Sequence, residues 1–351
     1  MAVGDVRRRR AVRPISVVSL ALTVVILLGV DVRAGGVPNG SRPHHVGGRY
    51  QNLAADYSYT LAERAQYLLT GKHLPKLRSG LTPVPNDGRA LRAKDATAVT
   101  WIGHASFLVQ IGGVNVLTDP HWGNTASPVS FAGPRRMTPP GVAFENLPPI
   151  HAVVISHDHW DHLDEATVVR LAKEHRPRFF VPLGLKAWLN AKGVDNVVEM
   201  DWWEEQSWKG LTFVCTPVQH SSGRWLHDQN ERLWASWVVA GKDHRLLFLG
   251  DTGYHQSLVD IKRLGPFDMV LMPVGGYSAF HRRHPNHVNP EEAVQLFEEV
   301  GGKLMVPMHW GTFDMNREPI DEPPRRALAE AVKRGLEDQI AILSPGQTLR
   351  W

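Results

Sequence analysis

The stretch His157-Asp158-His159-Trp160-Asp161-His162 places three imidazoles and two carboxylates in six consecutive residues. It follows the apolar run Ala152-Val153-Val154-Ile155, which has the length and composition of a buried strand. Imidazole nitrogens and carboxylate oxygens are ligands for Zn²⁺ and similar ions, and the end of a strand fixes the backbone that carries them. The pattern H-x-H-x-D-H therefore predicts a metal site at a strand end, with Asp158 and Trp160 at its free positions.

Three further polar residues follow predicted strands later in the chain, in the order His, Asp, His. His220 follows an alternating segment at 211–218. Asp251 and His309 follow the apolar segments 246–250 and 303–308. Each residue alone is more typical of a hydrogen-bonded strand end than of a metal ligand. Together with the first motif, their order indicates one shared metal centre.

This order of residues resembles that of the metallo-β-lactamase superfamily. The local sequence is closer still to N-acylphosphatidylethanolamine-hydrolysing phospholipase D and its bacterial relatives. The similar stretches are TWIGHASF at 100–107, LTDPHW at 117–122, FLGDTGY at 248–254 and MHWGTF at 308–313. The likeness extends from about Tyr50 to the C-terminus. It implies an α/β (α+β) fold, the four-layer αββα sandwich of the metallo-β-lactamase type.

The resemblance also implies a set of seven metal ligands. Seven ligands are too many for one tetrahedral zinc, and one carboxylate can span two ions about 3.5 to 4 Å apart. We therefore expect two Zn²⁺ per chain. The implied ligands are His157, His159 and His220 for one metal, Asp161, His162 and His309 for the other, and Asp251 as the bridge.

The implied activity is that of a metal-dependent hydrolase, a phosphodiesterase of the phospholipase D type. A hydroxide that bridges the metals would attack the phosphorus of an N-acylphosphatidylethanolamine-like phospholipid, with Asp161 and Asp251 as catalytic residues. One alternative is a lactonase or a phosphodiesterase for small soluble substrates that uses the same metals. Another is a membrane-tethered binding protein without activity, against which the presence of all seven ligands argues.

Two positions argue against the hydrolysis of β-lactams. The enzymes of the superfamily that open β-lactams commonly lack the last His of the motif and carry Cys in place of Asp251. This chain has His162, and its only cysteine, Cys215, alternates with Phe213 toward the predicted core. A single cysteine also excludes an intrachain disulfide, so cysteine usage does not identify the compartment.

Other cationic and strand-end residues flank the predicted centre. In the resembling lipases the segment that corresponds to 278–287 lies beside the metals, so its cations are candidate substrate contacts, with a solvated loop as the alternative. Arg135 and Arg136 lie in a proline-rich segment, 131–149, that reads either as a surface connection or as a headgroup contact. His104 and the segment 119–121 would either orient the metal-binding histidines or form structural turns. The candidate substrate residues are Arg282, Arg283, His284 and His287.

The charge is distributed unevenly along the chain. The formal net charge is +4, from 39 basic and 35 acidic residues. Residues 1–34 contain six arginines and two aspartates, so 39 − 6 = 33 basic and 35 − 2 = 33 acidic residues remain in the rest of the chain. A domain of balanced charge offers no basic surface for a polyanion, so no nucleic acid partner is expected.

The first 34 residues have the pattern of a targeting segment. Four arginines at 7–10 precede an uncharged apolar run from Ile15 to Val30, followed by Val32-Arg33-Ala34. This pattern predicts a signal peptide or a membrane anchor, and therefore an exported or membrane-anchored protein, periplasmic or otherwise extracytoplasmic, that works at a membrane surface. Residues 35–49 predict a linker and 50–351 a hydrolase domain. Helices are predicted at 53–69, 164–175, 185–192, 289–300 and 324–335.

Overall fold

The computed structural model of the chain describes residues 44–53, 80–93, 96–277, 284–315 and 318–351. The predicted leader at 1–34, most of the linker at 35–49, nearly all of the predicted helix at 53–69, and Arg282 and Arg283 lie outside these residues. None of the helices in the described ranges has the length and apolar character needed to cross a bilayer.

Two large sheets dominate the described part of the chain, and a short hairpin precedes them. The strands are β1 (His45–Val46), β2 (Arg49–Tyr50), β3 (Ala98–Gly103), β4 (Ser106–Ile111), β5 (Val114–Thr118), β6 (Ala152–Val154), β7 (Arg178–Pro182), β8 (Val197–Met200), β9 (Glu205–Trp208), β10 (Leu211–Thr216), β11 (Ser236–Ala240), β12 (Arg245–Phe248), β13 (Met269–Pro273), β14 (Met305–Met308) and β15 (Thr348–Arg350). One sheet has seven strands in the order β15-β3-β4-β5-β6-β7-β8, and the other has six in the order β14-β13-β12-β11-β10-β9.

Helices cover the outer faces of both sheets. The α-helices are α1 (Glu165–Glu174), α2 (Leu185–Asn190), α3 (Pro290–Val300) and α4 (Glu322–Arg334), and 3₁₀ helices lie at Ala90–Arg92, Phe144–Asn146, Gln256–Leu264 and Glu337–Gln339. The buried side chains of α1 and α2 pack against the seven-stranded sheet. Those of α3 and α4 belong to the core of the six-stranded sheet.

The alternation of side chains along the strands builds the layers. On β7, Phe179 and Val181 face the cluster that includes α1 and α2, while Phe180 between them faces the other sheet. The ring of Phe180 stacks on that of Phe213 in β10, with 4.0 Å between their centroids. The two sheets therefore pack face to face with helices outside, and the expected αββα sandwich is confirmed.

Strand direction determines where the site lies. Strands β5 to β8 run parallel to one another, as do β12 to β14. Strand β10 is antiparallel to β11, and β11 is antiparallel to β12, so β10 and β12 run in the same direction. The carboxyl ends of strands that share a direction meet at one edge of a sheet. The predicted ligands follow β6, β10, β12 and β14 at these ends.

Candidate metal centre

A tight turn shapes the first motif after β6. The backbone N–H groups of His162 and Leu163 both donate to the carbonyl of His159, at 3.1 and 2.9 Å. This turn reverses the chain before helix α1 begins, and it brings the imidazoles at 157, 159 and 162 to one side of the loop. His157 and His162 are buried, and His159 is partly exposed.

Three ring nitrogens form the first ligand group. The Nδ1 atom of His159 lies 2.9 Å from Nε2 of His157 and 3.2 Å from Nε2 of His220. His220 follows β10 of the six-stranded sheet, whereas the other two follow β6 of the seven-stranded sheet. The structure therefore brings together the three residues predicted to bind one metal.

The second group contains a carboxylate and two imidazoles. The Oδ2 atom of Asp161 lies 3.3 Å from Nε2 of His162 and 3.3 Å from Nε2 of His309. A fourth side chain, His104, joins this group, with its Nε2 atom 2.9 Å from the same oxygen. His104 therefore hydrogen-bonds a carboxylate of the centre, and its ring also packs against that of His309, with 4.1 Å between the centroids. Both contacts support the expectation that His104 orients residues of the centre.

Asp251 lies between the two groups. Its Oδ2 atom is 3.1 Å from Nε2 of both His162 and His309, and 3.8 Å from Nε2 of His220. This carboxylate contacts donor atoms of both groups, as a bridging ligand requires. All seven predicted ligands thus converge on one site.

The donor set fits metal ions better than it fits hydrogen bonds alone. In the described part of the chain, the buried atoms Nε2 of His162, Nε2 of His309 and Oδ1 of Asp251 have no hydrogen-bond partner. Buried polar atoms are rarely left unpaired in this way. Ligand atoms about 2.1 Å from a tetrahedral zinc are about 3.4 Å apart, close to the 3.3 Å between Asp161 Oδ2 and the two histidine nitrogens.

Four of the ligand histidines fall into two kinds, those with a lowered pKa and those with a raised pKa. Burial lowers the pKa of His157, and it lowers that of His220 to about 3, so these rings are neutral and offer lone pairs. Burial also acts on His162 and His309, but Asp251 and Asp161 outweigh it, raising the pKa of His309 to about 9 and that of His162 well above its ordinary value. Because a metal requires neutral imidazoles, metal binding here would displace protons.

The outer nitrogens of His162 and His220 are held by neighbouring groups. Nδ1 of His162 lies 2.7 Å from Oδ2 of Asp119, which in turn accepts from the hydroxyl of Ser156 at 2.5 Å. Nδ1 of His220 contacts the carbonyl of Asn286 at 2.9 Å. Such partners fix the orientation of each ring. The expectation that the segment 119–121 orients metal-binding histidines is thus supported for Asp119.

The proline-rich segment 131–149 contains one short 3₁₀ helix, Phe144–Asn146, and the side chain of Arg136 makes contacts within the protein. Its guanidinium contacts the carbonyl of His121 at 2.8 Å and that of Gly123 at 2.8 Å, and it lies 4.6 Å from the ring centroid of Phe313. Burial lowers the pKa of Arg136 to about 10. Of the two arginines, Arg135 is therefore the candidate for a headgroup contact, because its side chain is exposed.

Two of the four candidate substrate residues are described, and both lie near the centre. Nδ1 of His287 is 3.8 Å from Oδ2 of Asp251, and its side chain is 18% exposed. His284 packs beside it, with 5.0 Å between the ring centroids. Arg282 and Arg283 lie outside the described residues. His287 is therefore the imidazole beside Asp251 that retains access to solvent.

The sequence did not predict the residues whose hydrogen bonds connect the centre to distant segments of the chain. Asp158, interpreted as a free position, is fully buried, and its carboxylate accepts from the backbone N–H of Gly223 at 2.7 Å and from Arg232 at 2.8 Å. Asn52 bonds the backbone of His220. Their partners lie far along the chain, so no local pattern marks them. Cys215 is buried, as expected.

Comparison with known proteins identifies related chains. The family model described as β-lactamase superfamily domain matches residues 114–310, more than half of the chain. An uncharacterised protein of Mycobacterium tuberculosis is 40% identical over 331 residues, which cover 91% of this chain and 87% of that protein.

One relative carries a functional name. N-acyl-phosphatidylethanolamine-hydrolyzing phospholipase D 1 of Caenorhabditis elegans is 40% identical over 245 residues, which cover 66% of this chain and 68% of that protein. Among solved structures, a metallo hydrolase from the archaeon Ignicoccus hospitalis aligns with a TM-score of 0.56 and 23% identity, over 72% of this chain and 97% of that one. This structural likeness supports the fold.

Proposed function

Because the chain belongs to the β-lactamase superfamily and is a metal-dependent hydrolase, we propose that it is a dinuclear zinc phosphodiesterase of the phospholipase D type. The observation that carries the proposal is the convergence of two ligand groups on Asp251, whose carboxylate lies 3.1 Å from two ligand nitrogens and 3.8 Å from a third. The proposed substrates are phospholipids similar to N-acylphosphatidylethanolamine.

The proposed ligand assignment follows the two groups. The neutral imidazoles of His157 and His220, together with His159, suit one Zn²⁺, while the Asp161 group suits a second. A bound pair of zinc ions would supply a water of lowered pKa as the nucleophile and would polarise the oxygens of the phosphodiester. Asp251 would hold both ions at a fixed separation, and Asp161, oriented by His104, would keep the second in place.

The residues around the centre support an anionic substrate with an apolar part. His287 is partly exposed, and its Nδ1 lies 3.8 Å from Oδ2 of Asp251, which supports a proposed contact between its ring and a bound phosphodiester. The loop after His220 carries Trp225 and Leu226, which are 52% and 70% exposed. Trp225 contacts the ring of Trp160 in the metal motif at 5.7 Å between centroids. Exposed apolar side chains next to the motif favour a lipid over a small soluble ester.

The location of the protein is part of the proposal. The basic and apolar leader supports export or membrane anchoring, which would bring the site to phospholipid. The convergence of all seven predicted ligands argues against a non-catalytic binding protein.

Metal analysis combined with a substrate panel tests the proposed function. The purified protein is expected to contain two zinc ions per chain and to release the alcohol from an N-acylated phosphatidylethanolamine. The panel also contains an ordinary phospholipid, a soluble phosphodiester and a lactone, and Asp251→Asn serves as the inactive control. Faster cleavage of the lactone or the soluble diester, or rates indifferent to acyl chain length, would replace the lipase interpretation with the alternative hydrolases.

A further inference from the structure

At least three residues of the described segment 44–53 make contacts with later parts of the chain. At its start, Nε2 of His44 lies 2.6 Å from Oδ1 of Asp201, and the His44 ring stacks on Trp202 at 4.3 Å. Further along, the backbone N–H of Tyr50 donates to the carbonyl of Asn230 at 2.8 Å. The segment lies outside the residues matched by the family model, which begin at 114.

A third contact is made by the side chain of Asn52. Its Oδ1 atom accepts from the backbone N–H of His220 at 3.0 Å and from the indole N–H of Trp234 at 3.0 Å. Its Nδ2 atom donates to the carbonyl of His220 at 2.8 Å. The side chains of all three residues are buried. A carboxamide can accept two hydrogen bonds on its oxygen and donate from its nitrogen at the same time, whereas an ionised carboxylate of the same shape has no donor.

Asn52 therefore holds both backbone polar groups of one metal-ligand residue. His157 and His159 are fixed by the turn of their own motif, whereas His220 follows the end of β10, on the opposite sheet. The ring of His220 has its own contact to the carbonyl of Asn286. Because the direction of a side chain follows its backbone, the Asn52 contacts set where Nε2 of His220 meets the first ligand group.

We propose that Asn52 is a positioning residue for the metal centre, which keeps His220 in register with His157 and His159. The proposal rests on the proposed function, since it concerns a ligand of that centre. It extends the centre to a segment that precedes the matched domain. It also predicts that loss of the Asn52 amide lowers the affinity for one metal more than for the other. The more affected metal is the one bound by His157, His159 and His220.

The variant Asn52→Asp separates positioning from simple packing. An aspartate retains the shape and the acceptor for His220 and Trp234, but it turns an oxygen toward the carbonyl of His220 in place of the N–H donor. This places two acceptors against each other at hydrogen-bond distance. We expect a 10- to 100-fold loss of affinity for one metal, the range seen when a group that orients a ligand is removed.

The experiment measures metal affinity in the full chain by competition of Zn²⁺ with a chelator, and it records the absorption spectrum of the Co²⁺-loaded protein. Asn52→Asp is expected to lose one Zn²⁺ at a chelator concentration that leaves the wild type with two, and to change the Co²⁺ bands. His44→Ala is the matched control, because it removes the contacts of His44 with Asp201 and Trp202 from the same segment without touching His220. It is expected to lower thermal stability while leaving the Co²⁺ spectrum and the zinc affinity unchanged.

The outcomes separate the two hypotheses. A wild type that binds two metals, together with an Asn52→Asp variant of equal affinity and spectrum, would overturn the role of Asn52 alone. Equal losses in Asn52→Asp and His44→Ala would also overturn it, because the segment as a whole would then be responsible. A wild type that binds no metal would overturn the proposed function itself.

Discussion

The choice of nitrogen in each imidazole determines the geometry of the centre. Nδ1 is occupied by Ser156 in His157, by Asp119 in His162 and by Asn286 in His220, so Nε2 faces inward in all three. His159 instead directs Nδ1 inward. Residue spacing predicts which histidines meet. The partner of His157 is the adjacent Ser156, but those of His162 and His220 come from distant segments, and these partners determine which nitrogen of each of the three rings is available.

At the bridging position we predict that Asp251→Asn removes most activity without unfolding the chain. The amide retains the size of the side chain but loses the charge that faces His162 and His309. Losing several kcal/mol of metal-derived stabilisation lowers kcat/KM by about a thousandfold or more. Steady-state kinetics, with circular dichroism for folding and exposed Asp260→Asn as control, measure this. Full activity of Asp251→Asn would contradict the bridging role.

For His104 we predict that substitution lowers the affinity for the metals, with a smaller effect than substitution of Asp251. Burial lowers its pKa to about 3, so the ring is neutral, and its Nε2 contacts Asp161 at 2.9 Å. His104→Ala is expected to weaken metal binding by about 10- to 100-fold, as measured by chelator competition. His244→Ala, on the turn between β11 and β12, is the control. An unchanged metal affinity in His104→Ala would show that Asp161 does not need this contact.

Among the elements, strands and helices with clear periodicity were predictable and long-range connections were not. The predicted helix at 289–300 is α3, and the strands that precede the four ligand positions all occur. The 3₁₀ helix at Gln256–Leu264 was not predicted. The roles of Asp158 and Asn52 also escaped prediction, because each depends on partners more than 60 residues away that only the folded sheets bring near.

The side-chain cap at the start of helix α3 allows a quantitative test of its contribution to stability. Asn289 Oδ1 accepts from the backbone N–H of Glu292 at 2.8 Å, and the carboxylate of Glu292 accepts in return from the Asn289 N–H at 3.2 Å. We predict that Asn289→Ala lowers the free energy of unfolding by about 1 kcal/mol, because the first turn loses its side-chain acceptor. Urea denaturation measures this loss. Since Asn289 is two residues from His287, kcat is recorded as well, and an unaltered midpoint would contradict the capping role.

Across the whole molecule, the site is shared by both sheets. His157, His159, Asp161 and His162 follow a strand of the seven-stranded sheet, whereas His220, Asp251 and His309 follow strands of the six-stranded sheet. The αββα arrangement was predictable from the resemblance, and strand periodicity predicted the individual strands that precede the ligands. Core contacts between the sheets, such as the stacked rings of Phe180 and Phe213, depend on side-chain packing that a pattern of apolar residues does not specify.

Because the metals would connect the two sheets, we predict that chelation destabilises the whole domain. A ligand that binds only the folded state at about 100 times its Kd adds about 2.7 kcal/mol of stability, and its removal also leaves buried carboxylates and imidazoles without a counterion. Thermal unfolding with and without a chelator measures the change in Tm, and added Zn²⁺ should restore it. Asp251→Asn should respond less. A Tm indifferent to chelation would argue against ligands from two sheets sharing ions.

The origin of the ligands in opposing layers has a consequence for how this fold tolerates change. Any substitution that alters the thickness of the interior would move three ligands as a block relative to the other four, even when it lies far from them. Activity should therefore depend more strongly on the spacing between the two sheets than the melting temperature does. The packing of the interior sets this spacing, and with it the distance between the ligands contributed by one sheet and those contributed by the other.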